Sequence, residues 1–134
     1  MQKAKMLAFP QLGDDRGRLV VIEGAQDISF DIKRVFYIYG SDPDVVRGMH
    51  ANRRTEFVLI NVSGTSKVMV DYGGEKEIFH LDRAHTGVYL PKMVWKEMFD
   101  FSPDSVLLVL ASEHYDQSEY ISNLQEYYQE MGLK

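Results

Sequence analysis

Between residues 18 and 111 the chain is a series of short runs in which apolar and polar positions alternate, separated by turn residues. A period of two marks an extended strand with one face buried. Arg18 to Glu23 and Lys33 to Tyr39 are the first such runs, and in the second Val35, Tyr37 and Tyr39 alternate with Phe36 and Ile38. Further strands are expected at Gly48 to Ser63, Lys67 to Tyr72, Glu77 to Leu81, Thr86 to Leu90, Lys96 to Phe101 and Ser105 to Ala111. Gly40 to Asp44, Gly64, Gly73-Gly74 and Ser102-Pro103-Asp104 supply the turn chemistry between them. Only the tail changes period. Tyr120, Leu124, Tyr127 and Met131 recur at helical spacing, Asp116 or Ser118 suits the start and Gly132 the end, which predicts a helix over about 116–131. About eight short strands followed by one helix predict an all-β sandwich or barrel in a single domain spanning 1–134.

Polar residues interrupt this pattern most sharply at Arg47-Gly48-Met49-His50-Ala51-Asn52-Arg53-Arg54-Thr55-Glu56. If Gly48 to Ser63 is one strand, His50, Asn52, Arg54 and Glu56 share a face that continues as Val58, Ile60 and Val62. A polar row at the end of an apolar stripe predicts a pocket at the mouth of the core, with a histidine, an arginine and a carboxylate at its rim.

Composition removes several function classes. The formal net charge is -5 and Lys and Arg are scattered, which argues against a nucleic-acid surface. With no cysteine, disulfides and thiolate metal sites are excluded. No apolar run approaches the roughly 20 residues of a membrane span, and the opening Met-Gln-Lys-Ala-Lys-Met leads into no signal-peptide core, so a cytoplasmic location is expected.

The strand beginning at His50 resembles the first motif of the cupins, a jelly-roll family in which two histidines and a glutamate hold a metal. The corresponding places here are His50, Asn52 and Glu56. The second motif has Gly87 and Pro91 in place, but Lys96 stands where the family has a further histidine. An amide and an amine are poor ligands for the metals imidazole prefers, so no catalytic metal and no cofactor are expected.

From Gly13 to about Tyr128 the chain resembles more closely the sugar 3,4-ketoisomerases that act on dTDP-4-keto-6-deoxyglucose, metal-independent cupins of deoxysugar biosynthesis. The matching stretches are Asp15-Arg16-Gly17-Arg18-Leu19, Ile32 to Ile38, Arg47 to Ala51, Val94-Trp95-Lys96-Glu97-Met98 and Val109 to Ser112. The resemblance implies a jelly roll, a homodimer, and a nucleotide-linked sugar as ligand. It also implies proton transfer from C3 to C4 through an enediol, with His50 as the titrating group. The family commonly carries histidines where this chain has Asn52 and Lys96. Asn52 can hydrogen-bond the enediolate oxygen, and Lys96 can stabilise it or move a proton.

Arginine is well shaped for a pyrophosphate. Arg18, Arg34 and Arg47 lie in the matched stretches and join Tyr37, Arg54 and Glu56 as expected substrate contacts. His80, His85 and His114 read as structural or surface residues, Tyr89 and Trp95 as core aromatics. The N-terminal segment through Leu12, bearing Leu7, Phe9 and Pro10, reads as an edge that an exchanged or added strand in a homodimer would protect. Two other functions fit the same residues: a sugar-nucleotide 3,5-epimerase, which would need a His-Asp pair and a tyrosine acid, and a non-catalytic sugar-nucleotide-binding cupin.

Overall fold

A computed structural model describes residues 2–133. Its strands are β1 (Lys5–Ala8), β2 (Leu12–Asp14), β3 (Gly17–Leu19), β4 (Arg34–Tyr39), β5 (Arg47–Asn52), β6 (Phe57–Ser63), β7 (Ser66–Asp71), β8 (Lys76–Leu81), β9 (Thr86–Leu90), β10 (Trp95–Phe99), β11 (Val106–Ala111) and β12 (Tyr120–Ile121), and its α-helix is α1 (Leu124–Glu130). Two five-stranded sheets form the jelly-roll sandwich, ordered β1-β9-β6-β11-β4 and β12-β5-β10-β7-β8, and β2 and β3 pair as a separate hairpin. Alternation along the strands sorts the apolar residues. Phe57, Leu59, Val68, Val70, Leu107 and Val109 fill the space between the sheets. Val58, Ile60 and Leu110 turn to the outer face of the first sheet, where Phe9, Ile28 and Phe30 cover them.

Residues 48–63 are not one strand. The chain leaves β5 at Asn52 and enters β6 at Phe57, in the opposite sheet. The crossing is braced by Glu119, whose carboxylate accepts the backbone N–H groups of Arg54 at 2.7 Å and Thr55 at 3.2 Å. It also changes the parity of the inward face. Even-numbered residues of β5 and odd-numbered residues of β6 look into the space between the sheets, so the face expected to run from His50 to Val62 is split.

Two further differences concern the ends. Asp116 caps a 3-10 turn at Gln117–Glu119, β12 follows, and the α-helix begins only after Asn123, whose side chain accepts the N–H of Glu126. The helical spacing of Tyr120 with Leu124 and Tyr127 is therefore real only from Leu124 onward, because the Asn123 cap competes with any earlier start. At the other end, β1 pairs antiparallel with β9 of the same chain, so the N-terminal edge strand has an intramolecular partner. The expected strand at 18–23 is ordered as β3 only to Leu19, after which Val20 and Ile22 pack loosely on the outer apolar layer.

Candidate active site

A bulge builds the floor of the site. Lys96 of β10 pairs with His50 of β5, yet the next residue, Glu97, pairs with Gly48, which leaves Met49 as the extra residue. Met49 adopts φ 58° and Gly48 φ 87°. A side chain on Gly48 would meet Lys96 O and Met98 Cε, each at 3.0 Å, so glycine is required where the two strands approach. The outcome is that His50 and Lys96 emerge side by side into a cavity of about 330 Å³ that Phe36, Phe57 and Leu59 also line. That volume falls in the range of about 300–1,000 Å³ common for small-molecule sites.

Behind the cavity wall runs a buried polar chain. Lys96, only 4% exposed, donates from Nζ to Asn52 Oδ1 at 2.9 Å and lies 4.7 Å from the centre of the Phe57 ring. Asn52 Nδ2 in turn donates to Glu119 Oε2 at 2.5 Å, which also accepts the Thr55 hydroxyl at 2.6 Å. Burial pulls the Lys96 amine down to about 7, against the opposing pull of Glu119. Burial also works to raise the Glu119 carboxyl, but hydrogen bonds from Thr55, Arg54 and Asn52 outweigh it and hold the group below its ordinary value.

His50 is fixed by its own strand. Its Nδ1 lies 3.0 Å from the carbonyl oxygen of Gly48, which can only accept, so Nδ1 carries the proton and Nε2 keeps a lone pair. Burial, and then the neighbouring Lys96 charge, lower its pKa to about 4. The Tyr120 ring packs against it with 4.7 Å between centroids. A neutral imidazole with an open nitrogen therefore faces an amine poised to hold or release a proton.

The arginines divide by what holds their charge. Arg53 is paired with Glu130, and Arg54 with Asp116 at 2.7 Å on the surface. Arg34 and Arg47 line the cavity, and neither has a carboxylate partner among the described residues. The Arg34 guanidinium sits over Phe36 and Tyr115, 5.4 and 5.6 Å from the ring centres, and reaches the Tyr120 hydroxyl at 3.4 Å. Its Nε is buried with no hydrogen-bond partner among the described residues. A buried donor left open on an unpaired cation is a place for an anionic ligand.

Of the residues expected at the site, His50, Asn52, Lys96, Arg34 and Arg47 are brought together. Four others are not. Tyr37 is 61% exposed on the outer face of β4, where it stacks on Tyr39, because Arg34, Phe36 and Ile38 take the inward parity. Arg54 is turned outward at the crossing. Glu56 falls on the opposite side of the sheet and accepts the Tyr89 hydroxyl at 2.5 Å, which helps push that phenol upward after burial itself. Arg18 is exposed on the β2–β3 hairpin, away from the cavity of its own chain. Glu119, Tyr115 and Tyr120 join the site without having been expected there, all within the segment assigned to helix or its approach. Their signal was present in the aromatic and acidic residues before Asn123, but a helical reading points them outward.

The model of the family described as FdtA: WxcM-like, C-terminal matches residues 2–132. The chain belongs to this family. An FdtA-like relative, the TDP-4-oxo-6-deoxy-alpha-D-glucose-3,4-oxoisomerase of Aneurinibacillus thermoaerophilus, is 39% identical over 133 residues, covering 97% of this chain and 96% of its own. Among solved structures, a histidine-to-asparagine variant of the 3,4-ketoisomerase QdtA from Thermoanaerobacterium thermosaccharolyticum, in complex with TDP-4-keto-6-deoxyglucose, superposes with a TM-score of 0.94 at 40% identity, over 98% of this chain and 95% of that one. A 3,4-ketoisomerase from Helicobacter canadensis gives 0.95 at 36% identity, over 98% and 99%. The FdtA-like fold thus extends over nearly the whole of each chain.

Proposed function

We propose that this protein is a cytoplasmic 3,4-ketoisomerase of a dTDP-linked 4-keto-6-deoxyhexose, working as a homodimer without metal. The observation that carries the reading is the pairing of His50 with Lys96 at the inner end of a cavity bearing the unpaired Arg34 and Arg47. The arginines hold the diphosphate, and the sugar ring lies toward β5 and β10. His50 Nε2 removes the proton from C3. The electrons move into the C3–C4 bond and onto the C4 carbonyl oxygen, where the Lys96 ammonium stabilises the enediolate. Return of a proton to C4, and transfer of the C3 hydroxyl proton to the C4 oxygen, give the 3-keto isomer, with no net gain or loss of atoms.

Two features support this over the alternatives. A 3,5-epimerase would want a carboxylate on His50, whereas its Nδ1 is held by the Gly48 carbonyl. A binding module has no need of an amine kept near its titration point, and burying one is costly. The dimer reading is supported by Val35, Tyr37 and Tyr39, exposed in a row on the outer face of the edge strand β4.

Incubation with dTDP-4-keto-6-deoxyglucose in heavy water tests the reaction. Deuterium at C4 of the product and at C3 of the returned substrate is expected. Label at C3 and C5 would make it an epimerase, and no label would leave only binding.

A further inference from the structure

Glu119 takes no step in the reaction described above, yet it ends the polar chain that begins in the cavity. It is 1% exposed, and each of its carboxylate oxygens accepts two donors: Arg54 N and Thr55 N on Oε1, the Thr55 hydroxyl and Asn52 Nδ2 on Oε2. We propose that Glu119 is the positioning residue of this site, fixing through Asn52 the direction in which Lys96 presents its amine to the cavity. The inference rests on the assignment of Lys96 to the reacting oxygen.

Hydrogen-bond polarity sets the order along this chain. An ionised carboxylate only accepts, so the Asn52 NH2 must face Glu119 and the Asn52 oxygen must face Lys96. That oxygen demands a donor, so one N–H of Lys96 is directed at it and the rest of the amine is left toward the cavity. Asn52 is 1% exposed, so neither end of its amide has water as a substitute partner. Glu119 is also the acid that opposes the effect of burial on Lys96. The residue after it, Tyr120, pairs with Asn52 and lines the cavity, so the same short segment sets the wall and the chain behind it.

Bracing of the 53–55 crossing alone is the competing role, and substitutions separate the two. In Glu119→Gln the new amide oxygen still accepts the two backbone N–H groups, but its NH2 meets that of Asn52. Asn52 then turns over and sets its own NH2 against the Lys96 amine. Adding Asn52→Asp restores acceptors on both sides. Glu119→Gln is expected to lower kcat about 10- to 100-fold, the order of loss when a reacting group is misplaced by about an ångström, with KM little changed. The double variant should recover about tenfold or more. An unchanged kcat in Glu119→Gln, or a folded double variant no more active than Glu119→Gln, overturns the proposal. Should Glu119→Gln fail to fold, Asn52→Leu decides, because it keeps the brace and breaks the chain. A fall in kcat at constant KM supports positioning, and wild-type kcat refutes it. The 13Cε resonance of Lys96 without substrate keeps this apart from failure of the isomerase reading. It should shift in Glu119→Gln and return in the double variant whether or not the sugar nucleotide is turned over, and a resonance that stays unmoved in Glu119→Gln refutes positioning.

Discussion

Lys96 and His50 stand directly opposite each other across the β10–β5 ladder, and burial drives both toward their uncharged forms, to about 7 and about 4 respectively. Lys96 makes the His50 proton harder to keep, as the second cause, after burial, of its lowered value. Between about pH 4 and pH 7 the pair therefore holds one proton, on the amine. That is the distribution a base at C3 and a cation at the C4 oxygen require.

The rate should follow from it. Protonation of His50 removes the base as pH falls through about 4, and deprotonation of Lys96 removes the cation as pH rises through about 7. A bell-shaped kcat profile with limbs near those values is expected. Lys96→Arg keeps the charge at every accessible pH, so its alkaline limb should vanish while the acid limb stays. An alkaline limb that persists in Lys96→Arg would assign it to another group.

His50 and Arg47 should separate chemistry from binding. His50→Ala is expected to lower kcat by roughly 10²- to 10⁴-fold, the range for a general acid–base group, with little change in affinity for the nucleotide sugar. Arg47→Ala should weaken binding by about 1.5–3 kcal/mol, the cost of a lost charged hydrogen bond, and leave the bound reaction closer to normal. Calorimetric titration with dTDP alongside turnover measurements reads both. Unchanged turnover in His50→Ala would remove β5 from the chemistry.

The strand pattern made the fold legible because one-sided burial leaves a period of two, and most of the expected strands from Lys33 to Ala111 formed within a residue or two. The site was half legible. His50 was recoverable from the polar row in its strand, Lys96 from its place in the second cupin motif, and Arg34 and Arg47 from the stretches that resemble the ketoisomerases. Arg54 and Glu56 were misplaced for one physical reason: a carboxylate distant in sequence, Glu119, takes the backbone donors that a continuous strand would have used in its ladder. No local pattern carries that information. Tyr37 was misplaced differently, by neglecting that Arg34 in the same strand fixes the inward parity at even positions.

The proposed homodimer would use the outer face of β4. Tyr37 and Tyr39 are 61% and 70% exposed and stack on one another at an unpaired sheet edge. Covering such a surface with a second copy removes both the apolar exposure and the open edge. Light scattering at micromolar concentration should give twice the 15.5 kDa chain mass. The paired substitution Tyr37→Asp with Tyr39→Asp should shift the protein to monomer. A wild-type monomer would refute the homodimer.

Stability should carry the signature of Lys96 as well. Its pKa in the folded protein, about 7, lies below the ordinary value of 10.5, so between these the unfolded chain binds the extra proton. Stability then rises with pH through that window, and the destabilisation from the buried charge is fully present only below it. Lys96→Met has no such proton to lose. The difference in unfolding free energy between the two proteins should therefore shift in favour of wild type by about 2–3 kcal/mol from pH 7 to pH 9, at about 1.4 kcal/mol per pH unit. Comparing the two chains cancels the other titrating groups, including Tyr72 and Tyr127, both pushed up to about 12, chiefly by burial. Urea midpoints measured at half-unit intervals provide the check. A difference that stays flat across the window would mean that Lys96 keeps its proton in the folded state, and the alkaline limb of the rate would then need another owner.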